Sequence, residues 1–131
     1  MSNTIHDIEQ NERYPFAIFQ VGDGATRQGY SDSQACTVIK VSPNGKRAWI
    51  QRDKATRNPD WKPEIVPGGF AGHCTNQDSQ TYTYERDTEG QIYQVSLRKW
   101  RGRYVWTDAG GSPDGHQSAR AGKREFYDYN F

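Results

Sequence analysis

The chain predicts an all-β fold, a small antiparallel and partly open barrel, on three observations. Runs rich in β-branched and aromatic residues are divided by Gly-containing turn signals at three places. These are 35–42 and 46–53 around Pro43-Asn44-Gly45, 81–87 and 91–98 around Thr88-Glu89-Gly90, and Leu97 to Trp106 around Arg101-Gly102. Secondly, no stretch between Gly22 and Ala109 keeps a helical period. Thirdly, only 33% of the chain is hydrophobic while 13% is aromatic, so a few large rings must fill a small core.

The elements follow in order. Residues 1–13 form a polar tail with Ile5 and Ile8 as its anchors, and 14–131 form one β domain. Residues 16–21 are expected as a strand, Gly22-Asp23-Gly24 as a turn, and 25–31 as a weaker strand. Asp32-Ser33-Gln34 then turns into the first hairpin. There a type I turn at Pro43-Asn44, with Gly45 left-handed, sets Val38 opposite Ile50 and Ile39 opposite Trp49. Residues 58–80 carry Pro59, Pro63, Pro67, Gly68, Gly69 and Gly72, which break any regular element. Trp61, Ile65, Val66 and Phe70 in the same stretch require burial, so the long loop packs across the barrel. A second Gly-rich loop, 110–122, precedes an aromatic tail, 126–131, whose alternation suits the closing of a sheet edge.

Several functional classes find no support in the residues. No apolar run is long enough to span a membrane, and no basic segment followed by an apolar one opens the chain, so a cytoplasmic protein is expected. Cys36 and Cys74 are too few for a disulfide framework and are expected as free thiols. Gly22-Asp23-Gly24 and Gly68-Gly69 lack the Gly-Lys-Ser/Thr of a phosphate-cradling loop. A thiolate enzyme would need Cys74 beside a base. His73 is adjacent, but neighbouring side chains on an extended strand point apart, which leaves only His116. Cys36, His73, Cys74 and His116 are zinc-ligand types without the paired short spacings of a zinc site. No catalytic residue, metal or cofactor is therefore expected.

Charge is more informative. The formal net charge is +1, yet cations gather in two places. Arg98, Lys99, Arg101 and Arg103 surround Trp100 at a hairpin tip, and Arg47, Arg52 and Lys54 flank Trp49. Cations interleaved with rings are the composition that small barrels use to bind single strands, with bases stacking on the rings. The plainer reading is a solvated surface whose charges guard exposed strand edges.

Four stretches carry a resemblance: Val21-Gly22-Asp23-Gly24-Ala25-Thr26, residues 35–47 with the Pro43-Asn44-Gly45 turn, residues 97–105, and Arg124-Glu125-Phe126-Tyr127-Asp128. Together they resemble a family of small β proteins encoded by bacteriophages and prophages, for which no activity is assigned. Val21-Gly22-Asp23 and the hairpin after it also resemble the start of a Src-homology-3-like or Tudor-like barrel. The resemblance implies a mobile element acting in a bacterial cytoplasm. The expected function is a non-enzymatic accessory binding protein whose partner is a host protein or protein–nucleic-acid complex, such as a defence nuclease. The alternative is a module binding nucleic acid directly, and the third reading is the Cys/His enzyme. Arg98, Lys99, Trp100, Arg101, Arg103, Arg47, Trp49, Arg52 and Lys54 are the expected contact residues, Arg and Trp being the commonest binding hot spots.

Overall fold

The computed structural model describes residues 18–67, 72–108 and 117–130. The expected N-terminal tail, Phe70 and residues 110–116 of the second Gly-rich loop lie outside the described residues. The described strands are β1 (Gly24–Gln28), β2 (Ser33–Val41), β3 (Arg47–Arg52), β4 (Lys54–Arg57), β5 (Ile65–Val66), β6 (His73–Cys74), β7 (Tyr82–Glu85), β8 (Ile92–Trp100), β9 (Arg103–Asp108) and β10 (Ser118–Ala121). A short 3-10 turn, Gln77–Ser79, separates β6 from β7.

Six strands close a barrel in the order β1-β10-β9-β8-β3-β2, every pair antiparallel. The all-β expectation holds, but the barrel is closed rather than partly open. β1 bonds β2 along one edge and β10 along the other, which leaves no unpaired edge in the ring. The interior holds Ala25, Cys36, Val38, Ala48, Ile50, Val95, Trp106 and Ala119. Small alanines beside one indole let a narrow barrel fill without strain. Residues 18–20 form no strand, contrary to the sequence reading of 16–21. Phe19 instead packs on Trp106, ring centroids 4.9 Å apart, as part of the core.

The first hairpin turns at Gly45 with φ +72° and sets Val38 opposite Ile50, as its sequence predicts. Ile39 does not face Trp49. A bulge lies between Val38 and Lys40, so that Lys40 pairs with Trp49 and Val41 with Ala48. The extra residue lets Val38 and Val41 both contact the core while Lys40 turns outward and stays exposed. The third hairpin also forms where expected. Arg101 and Gly102 have φ of +49° and +79°, the two-residue turn whose twist matches antiparallel strands, and Trp100 pairs with Arg103.

The second expected hairpin is a turn without a hairpin. Gly90 N–H donates to Asp87 C=O at 3.0 Å, but the flanking strands do not pair with each other. β8 pairs with β3 in the barrel, and β7 pairs with β4 in a separate two-stranded ribbon. Burial decides this: opposite β3, Val95 and Tyr93 join Ala48 and Ile50 in the core. The Gln51 amide then holds the turn to the barrel, donating to Thr88 C=O at 3.1 Å and Gly90 C=O at 3.0 Å.

The aromatic tail does not add a strand. Phe126 makes one isolated bridge with Ser33. Residues 122–125 run as a strap over the outside of β1 and β2, and 127–130 carry it on to Asp32 and residues 74–80. Its N–H groups find side-chain oxygens instead of a ladder. Arg124, Glu125, Tyr127, Asp128 and Tyr129 donate in turn to Thr26 Oγ1, Tyr84 Oη, Gln80 Oε1, Asp32 Oδ1 and Gln77 Oε1. Asn130 exchanges two hydrogen bonds with the Cys74 backbone, at 2.7 and 3.0 Å. Of the apolar residues expected to bury the loop 58–80 across the barrel, only Trp61 does so, and it packs on the strap. Ile65 and Val66 are exposed on the short β5–β6 ladder, and Phe70 lies outside the described residues. Trp61 is buried, donates to Ser79 Oγ at 2.9 Å and lies 5.5 Å from the Tyr129 ring. The loop is not wholly irregular, because β5 and β6 form a short ladder within it.

Two ion pairs fasten the strap. Lys123 Nζ meets the Asp53 carboxylate, which also accepts a 2.7 Å bond from Thr37 Oγ1. Glu125 takes a two-pronged contact from Arg52, at 2.9 and 2.8 Å, and accepts from Ala35 N–H at 2.9 Å. Asp53 is only 2% exposed. Lys123→Met is expected to leave that carboxylate without its cation and to lower the unfolding free energy by about 3 kcal/mol, read from urea denaturation. Lys123→Arg is expected to lose far less.

Candidate functional site

The barrel places β9, β8, β3 and β2 side by side. These four strands with their two hairpin turns, as far as Thr107, contain no Asp or Glu. Over the same span they carry Lys40, Lys46, Arg47, Arg52, Arg98, Lys99, Arg101 and Arg103. The carboxylates at the margins are already engaged: Asp53 by Lys123, and Asp108 by Arg27 at 3.0 Å. These four strands thus carry one sign of charge on a molecule that is nearly neutral overall.

Register and alternation assign side chains to its outer side. Ala48, Ile50, Tyr93 and Val95 face the core, so Arg47, Trp49, Gln94 and Ser96 face outward. Lys40, Trp49 and Gln94 form one row across β2, β3 and β8. Lys40 Nζ sits 4.8 Å from the Trp49 ring centroid, a cation–π contact. In the neighbouring row Arg47 is opposite Ser96. Beyond it, a groove of about 510 Å³ is lined by Ser42, Pro43, Asn44, Lys46, Arg47, Ser96 and Leu97. Lys40, Lys46 and Arg47 are exposed and Trp49 is half-buried.

The β8–β9 hairpin rises beside this groove. Leu97 N–H still bonds Lys46 C=O, and the three residues after it project past β3 by about 10 Å at the usual rise per residue. Arg98, Lys99 and Arg101 are exposed on this projection. Lys99 Nζ lies 5.9 Å from the Tyr104 ring centroid. The side chains of Trp100 and Arg103 lie outside the described part. Their backbones pair at the neck of the turn.

The expected second cluster divides at Asp53. Arg47 and Trp49 belong to the outer barrel face, whereas Arg52 is half-buried and bound to Glu125. Lys54 is exposed on β4, opposite Glu85. Lys40, Lys46, Gln94 and Ser96 complete the face and stand outside the sequence-based contact set. The signal that points to them is the absence of acid from 33–52 and 90–107, which gains meaning only when those strands are neighbours.

A second groove lies on the β4–β7 ribbon, lined by Arg57, Pro59, Tyr82, Glu125, Tyr127 and Tyr129 among others. Its polar groups serve one another. Arg57 donates to Tyr129 Oη at 2.6 Å, and Tyr82 Oη donates to Gln80 Oε1 at 2.6 Å. Burial, followed by the neighbouring Tyr129 and Glu125, pushes the Tyr82 phenol up to about 12.

Both cysteines are buried free thiols. Cys74 Sγ lies 3.4 Å from Asn76 Oδ1, while its neighbour His73 is exposed, so the two side chains part as alternation requires. His116 lies outside the described residues. Among the described residues no group of three His, Cys, Asp or Glu side chains is placed to hold a metal, and no helix is long and apolar enough to cross a membrane. No protein-family model, curated protein or solved structure matches the chain.

Two outcomes are expected here. Burial raises the Cys36 thiol from 9.0 to about 11, against the opposing pull of Arg52. Its proton is held more tightly in the folded protein, so stability is unaffected by this group below about pH 9 and falls as pH rises toward 11. Cys36→Ala is expected to flatten that part of the stability–pH curve in denaturant titrations. Arg101 occupies a left-handed conformation that Asn adopts at lower cost. Arg101→Asn is therefore expected to stabilise the protein by about 0.5 kcal/mol in the same assay.

Proposed function

We propose that this protein is a non-enzymatic binding module that docks an acidic partner on the outer face of β2, β3, β8 and the β8–β9 hairpin. The observation that carries this reading is the adjacency of four acid-free strands bearing Lys40, Lys46, Arg47, Arg98, Lys99 and Arg101. Like charges gathered on one face repel one another, and a partner of opposite sign relieves that cost and is steered toward the face. The strap and its ion pairs occupy the outside of β1 and the first half of β2, so docking falls on the other side of the ring. In the phage or prophage setting that the sequence resemblance suggests, the partner would be a host protein–nucleic-acid complex, and the protein would act by occupying an acidic part of it.

Heparin, a polyanion without bases, tests the charge reading. The triple variant Lys40→Glu, Lys46→Glu, Arg47→Glu is expected to elute from immobilised heparin at much lower salt than wild type. Lys54→Glu, Lys62→Glu, Arg124→Glu changes net charge equally on other surfaces and is expected to elute near wild type. Equal elution of the two variants would show that net charge, and not this face, governs binding.

A further inference from the structure

We infer that the acidic ligand of this face is single-stranded nucleic acid, with one base stacked on Trp49 and its phosphates held by Lys40, Lys46 and Arg47. The inference rests on the docking face proposed above and assigns its ligand. Trp49 stands in the middle of the cationic surface, half-buried on an outward-facing strand position where the core does not require a ring. Its cross-strand neighbours are Lys40 and Gln94, and its same-face neighbours along β3 are Arg47 and Gln51. An aromatic anchor for a protein partner is usually ringed by contacts that exclude water. Here only Ile92, diagonal to Trp49 and 51% exposed, is apolar among the near positions on β8. Lys40 Nζ lies 4.8 Å from the centroid of that ring, so a stacked base would take the place of the ammonium, which turns to the adjoining phosphate. A ring among cations and amides thus suits a ligand that offers a flat π-face and anionic oxygens together.

The surrounding groups fit the rest of such a ligand. The groove beyond Arg47 presents Lys46 and Arg47 with the Ser96 hydroxyl, a set of donors for phosphate oxygens. Ser42 is not among them, because its hydroxyl donates to Asn44 Oδ1 at 2.8 Å and accepts from Arg47 N–H at 3.1 Å. Arg47 and Trp49 lie two residues apart on one strand, about 7 Å, so a phosphate and the base beside it can be met on a single face. Gln94, next to Trp49, offers an amide donor and acceptor to a base edge. A duplex keeps its bases stacked inside and shows only their edges, so the indole would have no base face to meet. Single-stranded bases are free to stack, and sequence tolerance follows because every base has such a face.

Fluorescence anisotropy with labelled oligothymidine tests this, alongside a duplex of equal length and the heparin elution above. Wild type is expected to bind the single strand more tightly than the duplex, with affinity falling steeply as salt rises. Trp49→Leu is expected to weaken oligothymidine binding about tenfold while heparin elution stays unchanged, because heparin has no base to stack. Trp49→Phe, which keeps a ring, is expected to recover most of the loss. A Trp49→Leu protein that binds oligothymidine like wild type, or a preference for the duplex, would overturn the inference. Heparin retention with no oligothymidine binding would also overturn it and leave the acidic-partner reading standing. Loss of both would remove the docking face itself. Denaturant unfolding of Trp49→Leu confirms that the folded protein is being compared, and Trp49→Met, which keeps bulk without a ring and is expected to show the same loss, carries the test if the Leu variant does not fold.

Discussion

The buried carboxylate of Asp53 is the constraint around which the molecule is arranged. It sits where β3 passes into β4, only 2% exposed, and a charge in that position persists only with a cation and hydrogen bonds beside it. Thr37 from β2 and Lys123 from the strap supply them. One residue earlier, Arg52 repeats the arrangement with Glu125. The joint between barrel and ribbon and the course of the C-terminal strap are therefore one electrostatic solution. If Lys123 and Glu125 leave, both the β3–β4 joint and the cover over β1 and β2 lose the cation and carboxylate that hold them.

The strap and the long loop stabilise each other by the same economy. Neither belongs to the barrel ladder, yet the strap's N–H groups are satisfied through Thr26, Tyr84, Gln80, Asp32 and Gln77. Gln80 acts as a substitute strand: its amide donates to Tyr127 C=O and accepts from Tyr127 N–H, both at 2.8 Å. Trp61, Tyr129 and Tyr127 add ring contacts where the two segments meet. A loop rich in Pro and Gly can be ordered in this way because side-chain oxygens meet obligations that a sheet would otherwise meet.

Covering one side of the ring leaves the other to carry charge. The core is filled by small residues around Trp106 and Phe19, so Trp49 is not needed inside and its ring is presented outward. The bulge at Ile39 adds Lys40 to the same side. At the hairpin tip the backbone accepts an Arg in a left-handed conformation where Asn is the more favourable residue.

Fold class and two hairpins were readable because turn chemistry is local: Pro43-Asn44-Gly45 and Arg101-Gly102 determine their own geometry and hence which strands they join. Thr88-Glu89-Gly90 is an equally local turn, but the strands beside it found better burial elsewhere, and only competition across the whole core decides that. Cations and rings were likewise visible in the sequence, Arg47 and Trp49 among them. Their grouping was not. Arg52 and Lys54 are near Trp49 in sequence and serve other surfaces, while Lys40, Gln94 and Ser96 join Trp49 or Arg47 through strand pairing. The sequence by itself determined an antiparallel β protein with concentrated positive charge, because period, turn residues and composition are properties of short segments. Barrel closure, the exchanged partners of β7 and β8, the bulge at Ile39 and the acid-free face were decided by tertiary structure, because each depends on which distant residues share a core or a counter-charge.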